Sequence, residues 1–355
     1  MNGNQLPDVL GLRRAELAEL LQPAIDRPYR VEQVYRGVYE QGAKSFDEIT
    51  ALSRPLRAAL AERFRIGLPE VETKHVSADG TTKYLFRLVD GATVEAVDIP
   101  DGERRTFCIS SQAGCAMACR FCVTGFWGAG RDLSAGEIVG QVLAIAGRLH
   151  AQQSLNLVFM GMGEPLLNLD NVEAAIDVLG EWISLRRITV STVGLVPGIR
   201  RMAAWPRRPN LAISLHAPDD ARRSELMPVN RSWPLVELMA ALHDFPLEPN
   251  RKLTFEYLLI AGVNDAPADA DALARLLAGL RCKVNLIPVN PDPVLGERMV
   301  PPSPEVVIAF RDRLRTRGMV ATVRRRRGDD VSAACGQLRA FGRDPRGFRR
   351  SNVSW

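Results

Sequence analysis

Six cysteines occur in the 355 residues, and four of them fall between Cys108 and Cys122. Cys115, Cys119 and Cys122 follow the spacing C-x3-C-x2-C. Thiolates so spaced on a loop converge on one soft metal centre. A structural zinc or a four-cysteine cluster wants a fourth ligand. None with clear metal spacing lies nearby: Cys108 is seven residues upstream of Cys115, and Cys335 is over two hundred residues away. The spacing leaves three readings open. One is a centre with three protein ligands and an open coordination position, where a substrate or cofactor binds the metal. The others are a structural zinc completed by a remote Cys or His, and buried thiols without metal.

A second chemical signal is positive charge. The net charge is +5, and the arginines are unevenly placed. Arg311, Arg313, Arg315 and Arg317 precede the run Arg324, Arg325, Arg326 and Arg327, and Arg343, Arg346, Arg349 and Arg350 follow. Such clustering is the footprint of phosphate-backbone contact. For the first four a solvated helix face is an equal reading. The unbroken run needs a counter-charge.

These groups must be positioned by a scaffold. Residues 8 to 66 show helical spacing of Leu10, Leu12, Leu17, Leu20 and Leu21, and again of Val31, Val34, Tyr35 and Val38, with Pro28 between the segments. Pro55 heads a third helix, Leu56 to Phe64. From about 69 the period changes. Thr82 to Leu88 alternates, Asp90-Gly91 supplies a turn, and Thr93 to Ile99 resumes an extended pattern, which predicts a β-hairpin. Beyond 108, six candidate strands (155–160, 187–192, 211–215, 253–259, 283–288 and 320–323) alternate with candidate helices near 134–149, 170–182, 196–203, 234–244, 267–280 and 304–317. That alternation predicts a parallel sheet, either doubly wound or an incomplete (β/α) barrel, with ligands at the carboxyl ends of the strands. The expected organisation is a helical accessory domain over 1–67, a hairpin extension over 68–107, the α/β domain over 108–340 and a basic tail over 341–355. No apolar run approaches the ~20 residues of a membrane span. The first residues have neither a basic nor an apolar leader region, so a cytoplasmic protein with reduced thiols is expected.

An aromatic before the last cysteine of C-x3-C-x2-C resembles the signature of radical S-adenosylmethionine enzymes. Wider motifs are more specific: Cys108-Ile-Ser-Ser-Gln-Ala-Gly-Cys115, Met160-Gly-Met-Gly-Glu-Pro165, Ser214-Leu-His-Ala-Pro218, Asn285-Leu-Ile-Pro288 and Arg327-Gly-Asp-Asp-Val-Ser-Ala-Ala-Cys335-Gly-Gln-Leu338. Together they resemble the RlmN/Cfr family of RNA adenine methyltransferases over nearly the whole chain. The resemblance implies a partial (β/α)6 barrel. Cys115, Cys119 and Cys122 would hold a [4Fe-4S] cluster. Gly163, Glu164, Ser191, Ser214, Leu215, His216 and Asn290 would contact S-adenosylmethionine, two of which are used per turnover.

The family's chemistry would give the remaining cysteines roles. Cys335 takes a methyl group from one S-adenosylmethionine by nucleophilic displacement. A 5′-deoxyadenosyl radical from the second removes hydrogen from that methyl group, and the methylene radical adds to the adenine carbon. Glu95 accepts the ring proton. Cys108 then attacks the sulfur of Cys335, and the disulfide releases methylated RNA. Arg324 to Arg327 immediately precede the Cys335 loop, so phosphate contacts there would bring an adenine to that sulfur, and by resemblance flavodoxin is a plausible electron donor. Expected substrates are 23S rRNA and also tRNA, modified at adenine carbon 2 by a monomeric enzyme. A Cfr-type enzyme acting on carbon 8 shares every motif, and a zinc-bearing RNA-binding module without catalysis is the reading from another class. One stretch departs from the family's pattern: between Phe126 and Leu133 the arginine and leucine are kept, while a phenylalanine, an asparagine and several glutamines are not.

Overall fold

The computed structural model describes residues 6–149, 154–296, 299–333 and 336–338. Three helices come first: α1 (Arg14–Leu21), α2 (Pro28–Tyr39) and α3 (Arg54–Arg63). Pro28, between the two helical segments, opens α2, where a missing N–H costs nothing. Val34, Tyr35, Val38 and Tyr39 form the buried face of α2. Tyr35 and Tyr39 pack on Trp182, with ring centroids 5.7 and 5.3 Å away. The N-terminal helices therefore share one apolar core with the rest of the chain.

Four strands follow: β1 (Glu70–Val76), β2 (Thr82–Arg87), β3 (Thr93–Asp101) and β4 (Arg104–Cys108). β1, β2, β3 and β4 pair antiparallel in order, with Thr82 opposite Asp98 and Arg87 opposite Thr93 across the predicted hairpin. Next come β5 (Gln112–Ala113), α4 (Val123–Phe126), β6 (Arg131–Asp132), α5 (Ala135–Ala146), β7 (Leu155–Phe159), α6 (Leu169–Leu179) and β8 (Ile188–Thr192). Then follow α7 (Val196–Ala203), β9 (Asn210–Ser214), α8 (Asp220–Leu226), α9 (Leu235–His243), β10 (Leu253–Leu259), α10 (Pro267–Leu276), β11 (Cys282–Pro288), α11 (Pro304–Thr316) and β12 (Ala321–Val323).

One ten-stranded sheet runs β1-β2-β3-β4-β7-β8-β9-β10-β11-β12. From β4 onward every neighbouring pair is parallel. Arg104–Cys108 thus belongs to the parallel sheet through β7 as well as to the hairpin through β3, and the parallel set has seven strands where the alternation of apolar runs shows six. Its members are apolar because crossover helices cover them. β10 is buried at all seven positions. α5 is fixed at its start by a capping box between Ser134 and Glu137. Among the described residues, no helix is long and apolar enough to cross a membrane.

Candidate active site

The carboxyl ends of the parallel strands surround a cavity of about 140 Å³. Its wall includes Cys115, Cys119 and Cys122, then Gly163 and Glu164 after β7, Ser191 in β8, Ser214 and His216 at β9, Glu256 in β10, and Arg324 after β12. The sequence motifs separated by up to two hundred residues meet in one place.

The cysteine loop is closed at its base by the short β5–β6 ribbon, Gln112 opposite Asp132 and Ala113 opposite Arg131. Arg131 binds Asp90 at 2.6 Å and Glu137 at 2.7 Å, and Leu133 is fully buried. The two family positions kept in the divergent stretch are those that anchor the loop. Phe126, at the start of that stretch, is exposed. Gly130 is obligatory, since a Cβ there would lie 1.4 Å from the carbonyl oxygen of Ala113. Inside the loop Ala118 has a φ of 50°, a turn that brings the backbone round between Cys115 and Cys119.

Burial pushes the Cys115 thiol up to about 12 and that of Cys119 well above its ordinary range, and Cys122 beside both adds to the effect. Three such thiols do not ionise together without a cation. An iron centre supplies that charge and reverses the preference. Three soft thiolate donors lining one cavity are the ligand type that iron–sulfur centres take, so the donor set fits [4Fe-4S].

Glu164 is 2% exposed, and burial pushes its carboxyl up to about 7. Its two oxygens accept from the N–H groups of Leu166 (3.1 Å) and Val193 (2.9 Å). Its own N–H donates to Gln112 Oε1 at 2.8 Å. Gly163 has a φ of 99°, and a Cβ there would lie 2.5 Å from Gln112 Cβ. The Gly-Glu pair is therefore packed directly against the start of the cysteine loop. A buried carboxylate at this position is suited to a ligand's ammonium group.

His216 is held in a left-handed backbone conformation, φ 61°. Its Nδ1 accepts from the N–H of Leu258 at 3.0 Å, which leaves the proton on Nε2. Burial, with Arg223 nearby, lowers its pKa to about 3, so the ring is neutral. The ring of Phe121 meets it edge-on at 4.5 Å. Its geometry is that of an oriented neutral donor and wall. Leu215 does not line the cavity; it is fully buried in the core, and its carbonyl accepts from Arg223. Asn290 borders a smaller neighbouring cleft with Arg324 to Arg327.

Glu95 lies on β3, 1% exposed, with Lys83 Nζ 3.3 Å from its Oε1. It is not an exposed strand carboxylate. Lys83 also donates to the carbonyl of Ser332 at 3.4 Å. Cys108 ends β4, buried, opposite Val97 of β3 and Val158 of β7. Cys335 lies outside the described residues, as does the basic tail. On its far side Gly336 O accepts from Val123 N and Leu338 O from Thr124 Oγ1, both at 2.7 Å. Cys282 is buried in β11 away from the cavity.

The four arginines border one cleft but are held differently. Arg324 turns into the cavity wall, Arg326 donates to Val289 O at 2.9 Å, Arg327 pairs with Asp101 at 3.4 Å, and Arg325 is exposed. On α11, Arg313 and Arg317 both bind Asp271, and Arg311 binds Asp312.

Two polar residues at the site carry no motif that singles them out. Arg223 is fully buried. It donates to the carbonyls of Leu215 (3.2 Å), Val193 (2.6 Å) and Ser214 (3.3 Å) and to Asn230 Oδ1 (2.7 Å). It ties the loops after β8 and β9 together beside Cys119. Glu256 is the other, and its signal is a lone acid in the buried run Leu253–Leu259.

The Radical SAM superfamily model matches residues 109–274, and the ribosomal RNA large subunit methyltransferase N-terminal domain matches residues 7–66. The dual-specificity RNA methyltransferase RlmN of Anaeromyxobacter dehalogenans is 46% identical over 96% of this chain and 94% of its own length. That of Syntrophobacter fumaroxidans is 48% identical over 91% and 95%. The crystal structure of a radical SAM methyltransferase from Sphaerobacter thermophilus superposes with a TM-score of 0.88 at 46% identity, covering 94% of this chain and 99% of that one. With three thiols and a buried Gly-Glu pair around one cavity, and with likeness along nearly its whole length, the chain belongs to the RlmN family of S-adenosylmethionine-dependent radical RNA methyltransferases, which carry a [4Fe-4S] cluster.

Proposed function

We propose that this enzyme methylates carbon 2 of an adenosine in large-subunit ribosomal RNA (A2503) and of adenosine 37 in tRNA. Its relatives are named dual-specificity RNA methyltransferases, and its N-terminal segment matches a ribosomal RNA methyltransferase domain. The observation that carries the reading is the placement of the chain on both sides of Cys335. Before it, Ser332 O accepts from Lys83, the partner of Glu95. After it, Gly336 and Leu338 are bonded to the helix that follows Cys122.

The cluster and S-adenosylmethionine, when bound, supply reductive one-electron chemistry that turns an unreactive methyl group into a carbon radical. The chain's own residues do the rest. Cys115, Cys119 and Cys122 hold the cluster, and Glu164 holds the ammonium of the cofactor. Cys335 carries the methyl carbon and stays bonded to it as the carbon joins the base. Glu95, sealed from water and oriented by Lys83, takes the proton from the ring carbon. Once the adduct has given up one electron, Cys108 attacks the sulfur of Cys335. The carbon–sulfur bond breaks with its electron pair passing to the carbon, which takes up a proton as the methyl group of the freed RNA. The Cys108–Cys335 disulfide must be reduced before the next turnover. The target adenine must be unstacked to enter such a cavity, so a loop or exposed single strand is the substrate. Arg325 and Arg326, exposed beside the cavity, contact phosphate, and the helices over 1–67 are a second RNA grip. The enzyme works as a cytoplasmic monomer reduced by a low-potential carrier such as flavodoxin.

Nucleoside mass spectrometry of RNA from cells with and without this protein tests the reading. Loss of 2-methyladenosine is expected. Loss of 8-methyladenosine instead would make it Cfr-type, and no change in either would refute the activity.

A further inference from the structure

The segment that leads to Cys335 is bonded to the turn between β1 and β2 by carboxylates that the mechanism above leaves unused. Asp79, in that turn, accepts from the N–H of Thr81 at 2.9 Å with Oδ1 and from the N–H of Gly328 at 3.1 Å with Oδ2. Asp330 answers from the other side: its Oδ2 accepts from the N–H of Ala78 at 3.1 Å. Each segment thus offers one carboxylate to a backbone N–H of the other, 249 and 252 residues away in sequence. Both groups are charged at neutral pH. Desolvation would raise the Asp79 carboxyl, but the N–H groups of Thr81 and Gly328 hold it down to about 2. Ser77 and the Ala78 N–H keep Asp330 below its ordinary range.

The segment is shaped to meet the turn. Gly328 has a φ of 65°, and a Cβ there would lie 2.7 Å from Ala333 Cβ and 2.9 Å from Thr81 Cγ2. Only glycine lets the two backbones approach this closely. The Gly328 carbonyl accepts from the N–H of Ala333 at 3.0 Å, which folds the segment back on itself. Ser332 is held at a φ of 50°, a conformation that a residue with a side chain keeps only where its surroundings impose it. There its carbonyl meets Lys83, the partner of Glu95. β2 begins at Thr82, directly after the turn, and Leu85 of β2 pairs with Glu95 of β3. The turn, Lys83 and Glu95 are therefore parts of one antiparallel ladder.

We propose that Asp79 and Asp330 are positioning residues that latch the Cys335 segment to the β1–β2 turn and so set the thiol relative to Glu95. This deepens the reading above, since it rests on Cys335 as the methyl carrier. Ser332 stands three residues before Cys335 in the sequence. Transfer of a carbon to a ring is steeply sensitive to placement, an error of about 1 Å costing on the order of a hundredfold.

The test uses the anaerobically reconstituted full chain as parent, Asp79→Ala, Asp330→Ala and the double variant. Both aspartates are exposed, so neither substitution opens the core. Hydrogen exchange read by mass spectrometry is the first measurement. The peptides holding Ala78 and Gly328 should both exchange about three- to tenfold faster in each single variant, the range for one hydrogen bond at an exposed site. The double variant should be little faster than either, because the two bonds open as a unit. The second measurement is 5′-deoxyadenosine released per adenosine methylated in a ribosomal RNA fragment. It should rise about three- to tenfold in the alanine variants as the misplaced sulfur wastes radicals. Asp330→Asn, which keeps an acceptor for Ala78, should restore most of the coupling. Exchange at both peptides equal to the parent's overturns the proposal. So does faster exchange with an unchanged yield of product per 5′-deoxyadenosine, since the latch would then hold the segment without placing the sulfur. A parent whose Cys335 peptide never gains a methyl group from S-adenosylmethionine refutes the carrier role itself, which is a separate failure.

Discussion

Lys83 Nζ stands 3.3 Å from Glu95 Oε1 in a pair whose side chains are 4% and 2% exposed. An ion pair this deep contributes less by its attraction than by the harm of breaking it. Lys83→Met leaves the carboxylate without its ammonium and is expected to cost about 3–5 kcal/mol. Adding Glu95→Leu should recover most of that. Urea unfolding of the two variants checks it, and a double variant no more stable than Lys83→Met would show that the two charges are not coupled.

Glu164 gives a pH dependence with a definite sign. In the cofactor-free fold its carboxyl binds a proton up to about pH 7, against an ordinary value of 4.5. The stability this contributes is fully present below pH 4.5 and is lost as pH rises through 7. The difference amounts to about 3 kcal/mol. Unfolding midpoints of the iron-free chain between pH 5 and 8 should therefore decline more steeply in the parent than in Glu164→Gln. Saturating S-adenosylmethionine should flatten the parent's decline, because a cation beside the carboxylate favours its charged form. Parallel declines in parent and variant would contradict the buried, ligand-free carboxyl.

Much of this arrangement was legible in the sequence because it depends on local signals. The parallel strands from Leu155 onward read as short apolar runs, and the cysteine loop as a spacing. What was hidden had the wrong composition. Arg104-Arg-Thr-Phe-Cys108 opens with two arginines at the exposed end of β4, so no apolar run marks it as a strand. The short polar helix α8 hides Arg223 among charged neighbours although that one side chain points inward. The four consecutive arginines do not show in sequence that Arg326 bonds Val289 O and Arg327 pairs with Asp101. Such facts are tertiary: which face a polar residue takes is decided by what packs against it.

Arg223 is expected to be a structural cation. Its four acceptors belong to three loops around the cavity, so Arg223→Met strands several buried oxygens at once. A loss of at least about 3 kcal/mol follows. Arg223→Lys keeps the charge and part of the bonding and should lose less. Denaturant unfolding of the two variants settles the order; a methionine variant as stable as the parent would mean that these carbonyls find other donors.

The division of the arginines predicts different responses to RNA. Arg325 and Arg326 have exposed side chains beside the cavity mouth, whereas Arg313 of α11 and Arg317 just after it already share Asp271 of α10. Replacing Arg325 and Arg326 by alanine should weaken RNA binding and reduce the slope of log affinity against log salt by about 0.7 for each phosphate no longer neutralised. Replacing Arg313 and Arg317 should change that slope less, because Asp271 already neutralises one of their two charges. The comparison needs only filter binding of an RNA hairpin at several salt concentrations. If the α11 pair changes the slope as much as the cavity pair, RNA lies across the outer helix, and the route by which its adenine reaches the cysteines must start from that face.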